Sequence, residues 1–398
     1  MSDVLKIALT FAVILILLRR KMNVGFVMLI ATGILCVLYR FDATGIGRTI
    51  KETAFNRVTL TLILALSFIR MFEIVLREQQ VLATMMSSVK EYFSSRKTLI
   101  VSMPLLIGML PIVGGAYFSA PMVDESTKDL PMSQEEKAFV NYWFRHPWEY
   151  VLPLYPGILL ASAVASIPLY NLILANMVYA SAVIGTGFLF SMRNLGPEPF
   201  IRRPRAWEKK DTIGFIPIVA ILILVIGFRV QLHYALIMLI VPLFVIYRYS
   251  AKDIVRITRH GFTRDMLVLI FGVMLFKETM EYSGAVSNLS KLFIEKGIPT
   301  LPIFCLLPFL TGVLTGLTIG FVGSTFPLLI SLEGGTSLAA LSLAFACGFI
   351  GVLLSPVHVC LILTREYFKA DLWLVYKKMI PASVIIVVVA FIEYIVMK

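Results

Sequence analysis

The chain has 398 residues, 59% of them apolar and 15% charged, with a mean hydropathy of +0.88. A soluble domain is about half apolar and about a quarter charged, so this composition excludes one, and with it disorder, collagen and coiled coil. Charge-free runs such as 215–228 are too continuous for the alternating pattern of a β-barrel. The net charge of +12 comes without an RNA-binding signature or basic tail, so no nucleic-acid partner is expected and the bilayer is.

Taken in chain order, apolar runs predict ten crossings, at about 4–18, 23–39, 58–76, 144–165, 168–192, 212–228, 232–248, 265–281, 337–362 and 379–397. Arg19, Arg20 and Lys21 follow the first run instead of preceding it, which suits a first crossing with its N-terminus outside and not a cleaved signal peptide. Two further stretches, about 98–122 and 300–330, are apolar but interrupted. Pro104, Pro111, Gly114, Gly115 and Pro121 cut the first, and Gly312, Gly316, Gly320, Gly323 and Pro327 cut the second. Each is predicted to enter the membrane, turn and leave on the same side, because irregular backbone survives at that depth only inside protein or beside a wet cavity. With this layout the inner loops carry 25 Lys and Arg and the outer segments 9, satisfying the positive-inside rule and placing both termini outside.

The order of parts repeats. Arg57–Ala65 pairs with Arg264–Gly272, and each half holds two crossings, a basic loop, a third crossing, a broken hairpin, a proline-broken crossing and a last crossing. Five crossings is an odd number, so the second half is expected to be inverted. The expected organisation is a first repeat over 1–192 (hairpin 98–122, broken helix 144–165), a basic cytoplasmic linker over 193–211, and a second repeat over 212–398 (hairpin 300–330, broken helix 337–362). Inverted repeats with broken helices are the plan of many secondary transporters.

Ionisable groups at membrane depth are costly and usually functional. In Arg145-His146-Pro147-Trp148-Glu149 the proline frees backbone carbonyls, and Pro153 and Pro156 do so again. Glu149 and His146 are therefore candidates for ion or proton coupling; Arg145 and Glu149, at i and i+4, could instead simply pair. In the second half Ser355-Pro356-Val357-His358 breaks the ninth crossing. The spacing of Gly312, Gly316 and Gly320 by four also suits a helix-packing stripe. Cys36, Cys305, Cys347 and Cys360 show no CxxC or Cys/His spacing and are read as small buried hydrophobes, with no metal site expected.

Gly108-Met-Leu-Pro-Ile-Val-Gly-Gly-Ala-Tyr-Phe-Ser-Ala-Pro121 and Asn141-Tyr-Trp-Phe-Arg-His-Pro-Trp-Glu-Tyr-Val-Leu-Pro-Leu-Tyr-Pro-Gly157 resemble an uncharacterised ten-helix prokaryotic family in the ion transporter superfamily. That clan includes divalent-anion/sodium symporters, gluconate and citrate carriers, and arsenite and sodium/proton antiporters. The resemblance covers essentially the whole chain and implies an all-α, homodimeric, elevator-type carrier of the cytoplasmic membrane. It places a substrate between two hairpin tips, Gly114, Gly115, Tyr117 and Ser119 in the first and Gly323, Ser324 and Thr325 in the second, facing Ser355 and His358 at the second break. Divalent-anion symporters carry Ser-Asn-Thr at these tips; the Asn is missing here. Glycine-exposed N–H groups and hydroxyls at a helix N-terminus suit a carboxylate or other oxyanion. The expected function is symport of a small anionic, carboxylate-like solute with H⁺ or Na⁺ and no other cofactor. The alternatives are Na⁺/H⁺ antiport and, more distantly, an intramembrane serine hydrolase using Ser324 and His358.

Overall fold

Helix-starting side chains divide the apolar chain into short rods. Ser2, Asn23, Asp42, Asn56 and Ser95 each accept a hydrogen bond from an N–H of the helix that follows, and Ser133 forms a full capping box with Glu136. The computed structural model describes residues 2–81, 84–85, 95–111, 115–192, 214–284, 288, 295–296, 299–332 and 337–398. The basic linker expected over 193–211 lies outside these.

The first half gives α1 (Asp3–Arg19), α2 (Val24–Leu38), α3 (Ala43–Phe55), α4 (Arg57–Glu78), α5 (Arg96–Gly108), α6 (Gly115–Ser126), α7 (Gln134–Trp143), the single turn α8 (Trp148–Val151), α9 (Pro156–Ala165) and α10 (Leu169–Ser191). The second gives α11 (Ile216–Leu222, widening into a π-helical turn over Ile223–Gly227), α12 (Leu232–Ile246), α13 (Ala251–Gly261), α14 (Arg264–Tyr282), α15 (Leu301–Thr315), α16 (Thr318–Leu332), α17 (Leu338–Leu353), α18 (Val359–Phe368) and α19 (Leu372–Met397). No strand occurs among the described residues.

Two helices were not legible as apolar runs. α3 and α13 occupy corresponding places, each just before the third apolar helix of its half, and are polar on one side. The broken crossing also begins at Gln134 instead of about 144, and the last helix at Leu372 instead of about 379. Hydropathy starts those runs late because charges stand near both helix starts: Glu135, Glu136 and Lys137 in the first turn of α7, and Lys377 and Lys378 in the second turn of α19. The charges are matched across the two helices: Lys378 Nζ lies 3.1 Å from Glu136 Oε1.

Among the described residues, four segments are long and apolar enough to cross a membrane: Arg57–Glu78, Gln134–Ala165, Leu169–Ser191 and Leu372–Met397. Other apolar helices are shorter. α15 and α16 have 15 residues each, about 22 Å at 1.5 Å per residue, against a hydrocarbon core of roughly 30 Å. They fold back on each other through Gly316 and Leu317.

The halves interlock. α2 packs on α14 while α4 packs on α12, and α9 packs on α16 while α6 packs on α18. At the α2–α14 crossing a Cβ on Gly25 would stand 2.6 Å from the backbone of Val268 and Leu269, so glycine sets the approach of the two backbones. Gly312 plays the same part between α15 and α17, where its Cβ would meet Gly348 O and Val352 N. The packing-stripe reading holds for this glycine. α17 is buried from Ala339 to Leu353 on every side, the mark of a central helix, whereas Val384, Val388, Ile392 and Ile395 of α19 face outward.

Candidate functional site

Both broken segments lose their helix where proline demands it. α7 ends at Trp143, and tight turns from Tyr142 and Trp143 carry the chain through Arg145 and His146 to Pro147. α17 ends at Leu353, and Ser355, ahead of Pro356, leads to His358 as the N-cap of α18. These breaks turn five polar side chains into the interior: Arg145, His146, Glu149, Ser355 and His358 are all buried.

The two imidazoles meet. His146 Nε2 lies 3.1 Å from His358 Nε2, while His146 Nδ1 is 2.6 Å from Tyr142 O and His358 Nδ1 is 2.7 Å from Gly316 O. Glu149 Oε1 stands 3.9 Å from His146 Nε2, and its Oε2 accepts from the Thr318 hydroxyl at 2.7 Å. Arg145 Nη1 donates to Cys360 Sγ at 2.7 Å. Asn141 Nδ2 donates to Ala116 O of α6 and to Thr364 Oγ1 of α18. One buried cluster thus ties the first break (Arg145, His146, Glu149) to the second (His358, Cys360) and to the turn of the second hairpin (Gly316, Thr318). The sulfur of Cys360 and the two imidazoles bring donor atoms within 4.8 Å of one another; the guanidinium directed at the sulfur places a cation there already.

The glycines around this cluster make room for it. A Cβ on Gly115 would fall 2.5 Å from Arg145 Nη2, and one on Gly108 would collide with the Arg145 carbonyl oxygen. Gly316 adopts φ +63°, where L side chains are strained, and its Cβ would stand 3.0 Å from His358 N and Cα.

Other expected site residues are placed differently. Gly114 lies outside the described residues. The expected second tip is a correction: Gly323, Ser324 and Thr325 lie inside α16, and the turn falls at Gly316–Leu317. The glycine that ends the apolar run of α15 as a left-handed C-cap carried the signal for this. Ser324 Oγ donates to Gly320 O at 2.6 Å and Thr325 Oγ1 to Phe321 O at 2.7 Å, each engaged within its own helix. Ser119, likewise inside α6, donates to Ala116 O, and Tyr117 is exposed, edge-on to Tyr367. Ser355 Oγ donates to Val313 O at 2.6 Å, fastening the second break to the end of α15. The Ser324–His358 hydrogen bond of a hydrolytic dyad is not formed, since both His358 nitrogens face Gly316 O and His146. Sequence reading missed Thr318, Gly316 and Cys360. The cysteine looked like packing, and nothing in local pattern marks Thr318.

A cavity of about 510 Å³ opens elsewhere, lined among others by Arg57, Ser162, Tyr170, Arg229, Gln231 and His233. It takes in Leu159, Ser162 and Ala163 of α9, while Gly157 near the start of that helix sits against Thr318. Arg229 stacks over the Tyr170 ring at 4.6 Å. His233 is buried, and its Nδ1 has no hydrogen-bond partner. Among the described residues no carboxylate pairs with Arg57 or Arg229, so the cavity is cationic.

Residues 1–397 match the family described as "Protein of unknown function (DUF401)". No curated protein matches the chain. Among solved structures, the Alcanivorax borkumensis YdaH transporter is similar in fold, with a TM-score of 0.61 at 14% identity over 94% of this chain and 96% of that one.

Proposed function

Because the chain belongs to the DUF401 family and shares the fold of a membrane transporter, we propose that it is a secondary active transporter that carries a small anionic, carboxylate-like solute, coupled to H⁺ or Na⁺. The observation that carries this reading is the buried cluster in which Glu149, His146, Thr318 and His358 join both helix breaks to the turn between α15 and α16. Broken helices meeting around buried ionisable groups are where transporters hold substrate and coupling ion. Gly115, Ser355 and His358 border the solute site in this reading, and Glu149 and His146 serve the ion. The cationic cavity at the far side of α9 favours an anion.

The matching order of elements in the halves, and their reciprocal packing, support two inverted repeats over 1–192 and 212–398. In this proposal ten crossings and two re-entrant hairpins form a homodimer in the cytoplasmic membrane, with both termini outside. The part bearing α5–α9 and α15–α18 moves as an elevator against the remaining helices. Na⁺/H⁺ antiport is the second reading, supported by the buried Glu149 carboxylate.

Proteoliposomes decide between the two. Uptake of labelled citrate, succinate or gluconate driven by an imposed H⁺ or Na⁺ gradient is expected for the protein and is expected to fall at least tenfold in Glu149→Gln. Sodium-dependent alkalinisation of the lumen without uptake of any carboxylate would establish antiport instead, and undiminished uptake by Glu149→Gln would remove that residue from coupling.

A further inference from the structure

The hydrogen bonds of His146 and His358 fix where their protons are. A main-chain carbonyl only accepts, and each Nδ1 faces one, Tyr142 O at 2.6 Å and Gly316 O at 2.7 Å. Each Nδ1 therefore carries its hydrogen. A neutral imidazole has a single N–H, so in the neutral pair both Nε2 atoms are bare, and they face each other at 3.1 Å. Two lone pairs aimed at one another at that distance in a buried site repel. A single added proton removes the conflict: one ring becomes an imidazolium whose Nε2–H donates to the other Nε2, and 3.1 Å suits such a bond.

We infer that His146 and His358 form a one-proton site, the proton shared between their Nε2 atoms, and that in the transport reading proposed above, on which this second part rests, it is the coupling ion. Glu149 is then its counter-charge and not its carrier, with Oε1 3.9 Å from His146 Nε2 and Oε2 held by Thr318. The other titratable or charged groups around the pair are accounted for. Arg145 donates to Cys360 Sγ, Tyr142 OH donates to Leu353 O at 2.9 Å, and Tyr155 OH donates to Gly108 O. With Arg145 cationic and Glu149 anionic, the shared proton takes the cluster from balanced to one net positive charge, which one monovalent anion offsets.

The proton also has a mechanical consequence. His146 is fastened to the last turn of α7 through Tyr142 O, and His358 to the α15–α16 turn through Gly316 O. The protonated pair is a clasp between the first break and the second hairpin; the deprotonated pair pushes them apart.

The chain contains four histidines, few enough to resolve individually. Protein with ¹⁵N-labelled histidine, reconstituted in nanodiscs, would be read by NMR across a pH series. Two imidazoles are expected to keep protonated Nδ1 throughout and, on the acid side, to show an N–N coupling between their Nε2 atoms. His146→Gln is expected to abolish the coupling and leave the Nδ1–H of His358. If that variant does not fold, the coupling in the unaltered protein decides alone. Three results each overturn the site: Nε2 protonation with a bare Nδ1 in either ring, bare Nε2 in both rings wherever the protein is folded, or a stoichiometric metal whose chelation shifts both rings. A shared proton together with citrate, succinate or gluconate uptake that ignores the H⁺ gradient overturns the coupling assignment. A shared proton with no uptake of these probes under any gradient overturns the transport reading and, with it, the coupling role, and leaves the proton site standing.

Discussion

Gly316→Ala is the sharpest test of the hairpin turn. The residue sits at φ +63°, a conformation that costs an L side chain roughly 1–2 kcal/mol. The new methyl would stand 3.0 Å from His358 N and Cα and 3.1 Å from Ser355 Oγ, and backbone held by its own hydrogen bonds yields little, adding about 1–2 kcal/mol of overpacking. Against this, alanine stiffens the unfolded chain and returns about 0.4–1 kcal/mol. The net expectation is a destabilisation of about 1–3.5 kcal/mol. Gly47→Ala is the control: it lies on exposed α3, where a Cβ meets nothing within 4 Å, and should stabilise by about 0.5–1 kcal/mol. Thermal unfolding of both variants in one detergent should move the apparent midpoints in opposite directions. Midpoints that both rise would mean that Gly316 is not left-handed against His358, and the placement of the turn would be wrong.

Three further outcomes follow from the same geometry. Gly312→Leu should prevent α15 from docking on α17, because its Cβ already meets Gly348 O and Val352 N; no monodisperse peak is expected on size exclusion, whereas Gly185→Leu, whose Cβ meets nothing within 4 Å, should elute normally. Arg256 joins Glu78 at 2.7 Å and Asp253 at 3.3 Å near the surface. Exposed pairs contribute little and are screened by salt, so Arg256→Ala should lower the midpoint slightly at low salt and not at all at high salt; a salt-independent loss would speak against an ionic origin. Ser250 and Arg256 hold the Asp253 carboxyl below the usual aspartate range. A folded-state value below the unfolded one stabilises above the ordinary aspartate range and is lost as pH falls through the folded value. Amide exchange in α13 should therefore quicken on acidification, and Asp253→Asn should remove that dependence.

How much of the site could be read in advance differs between its two kinds of residue. Pro147, Pro156 and Pro356 announced the breaks because a missing N–H acts locally, and Glu149, His146 and His358 were conspicuous as ionisable groups in apolar surroundings. The tip residues were placed less well. Gly323-Ser324-Thr325 has the composition of a loop, yet a helix surrounded by protein accommodates it: Ser324 and Thr325 return their hydroxyls to their own carbonyls, and Gly323 packs against Val273. Composition alone does not tell a loop glycine from one that lets another chain come close. Gly115 makes the point, since it leaves room for the Arg145 guanidinium.

The sequence by itself determined an all-helical, membrane-suited chain and the two proline breaks, because hydropathy and a missing backbone donor act over a few residues. Only the tertiary structure decided that the breaks converge. His146 and His358 stand 212 positions apart in the chain and 3.1 Å apart in space, and Glu149 finds Thr318 across 169 positions. No local pattern encodes such pairs: they exist because α9 packs on α16 and α15 on α17, with Gly157 leaving room for the Thr318 side chain at the first crossing and Gly312 letting the backbones meet at the second.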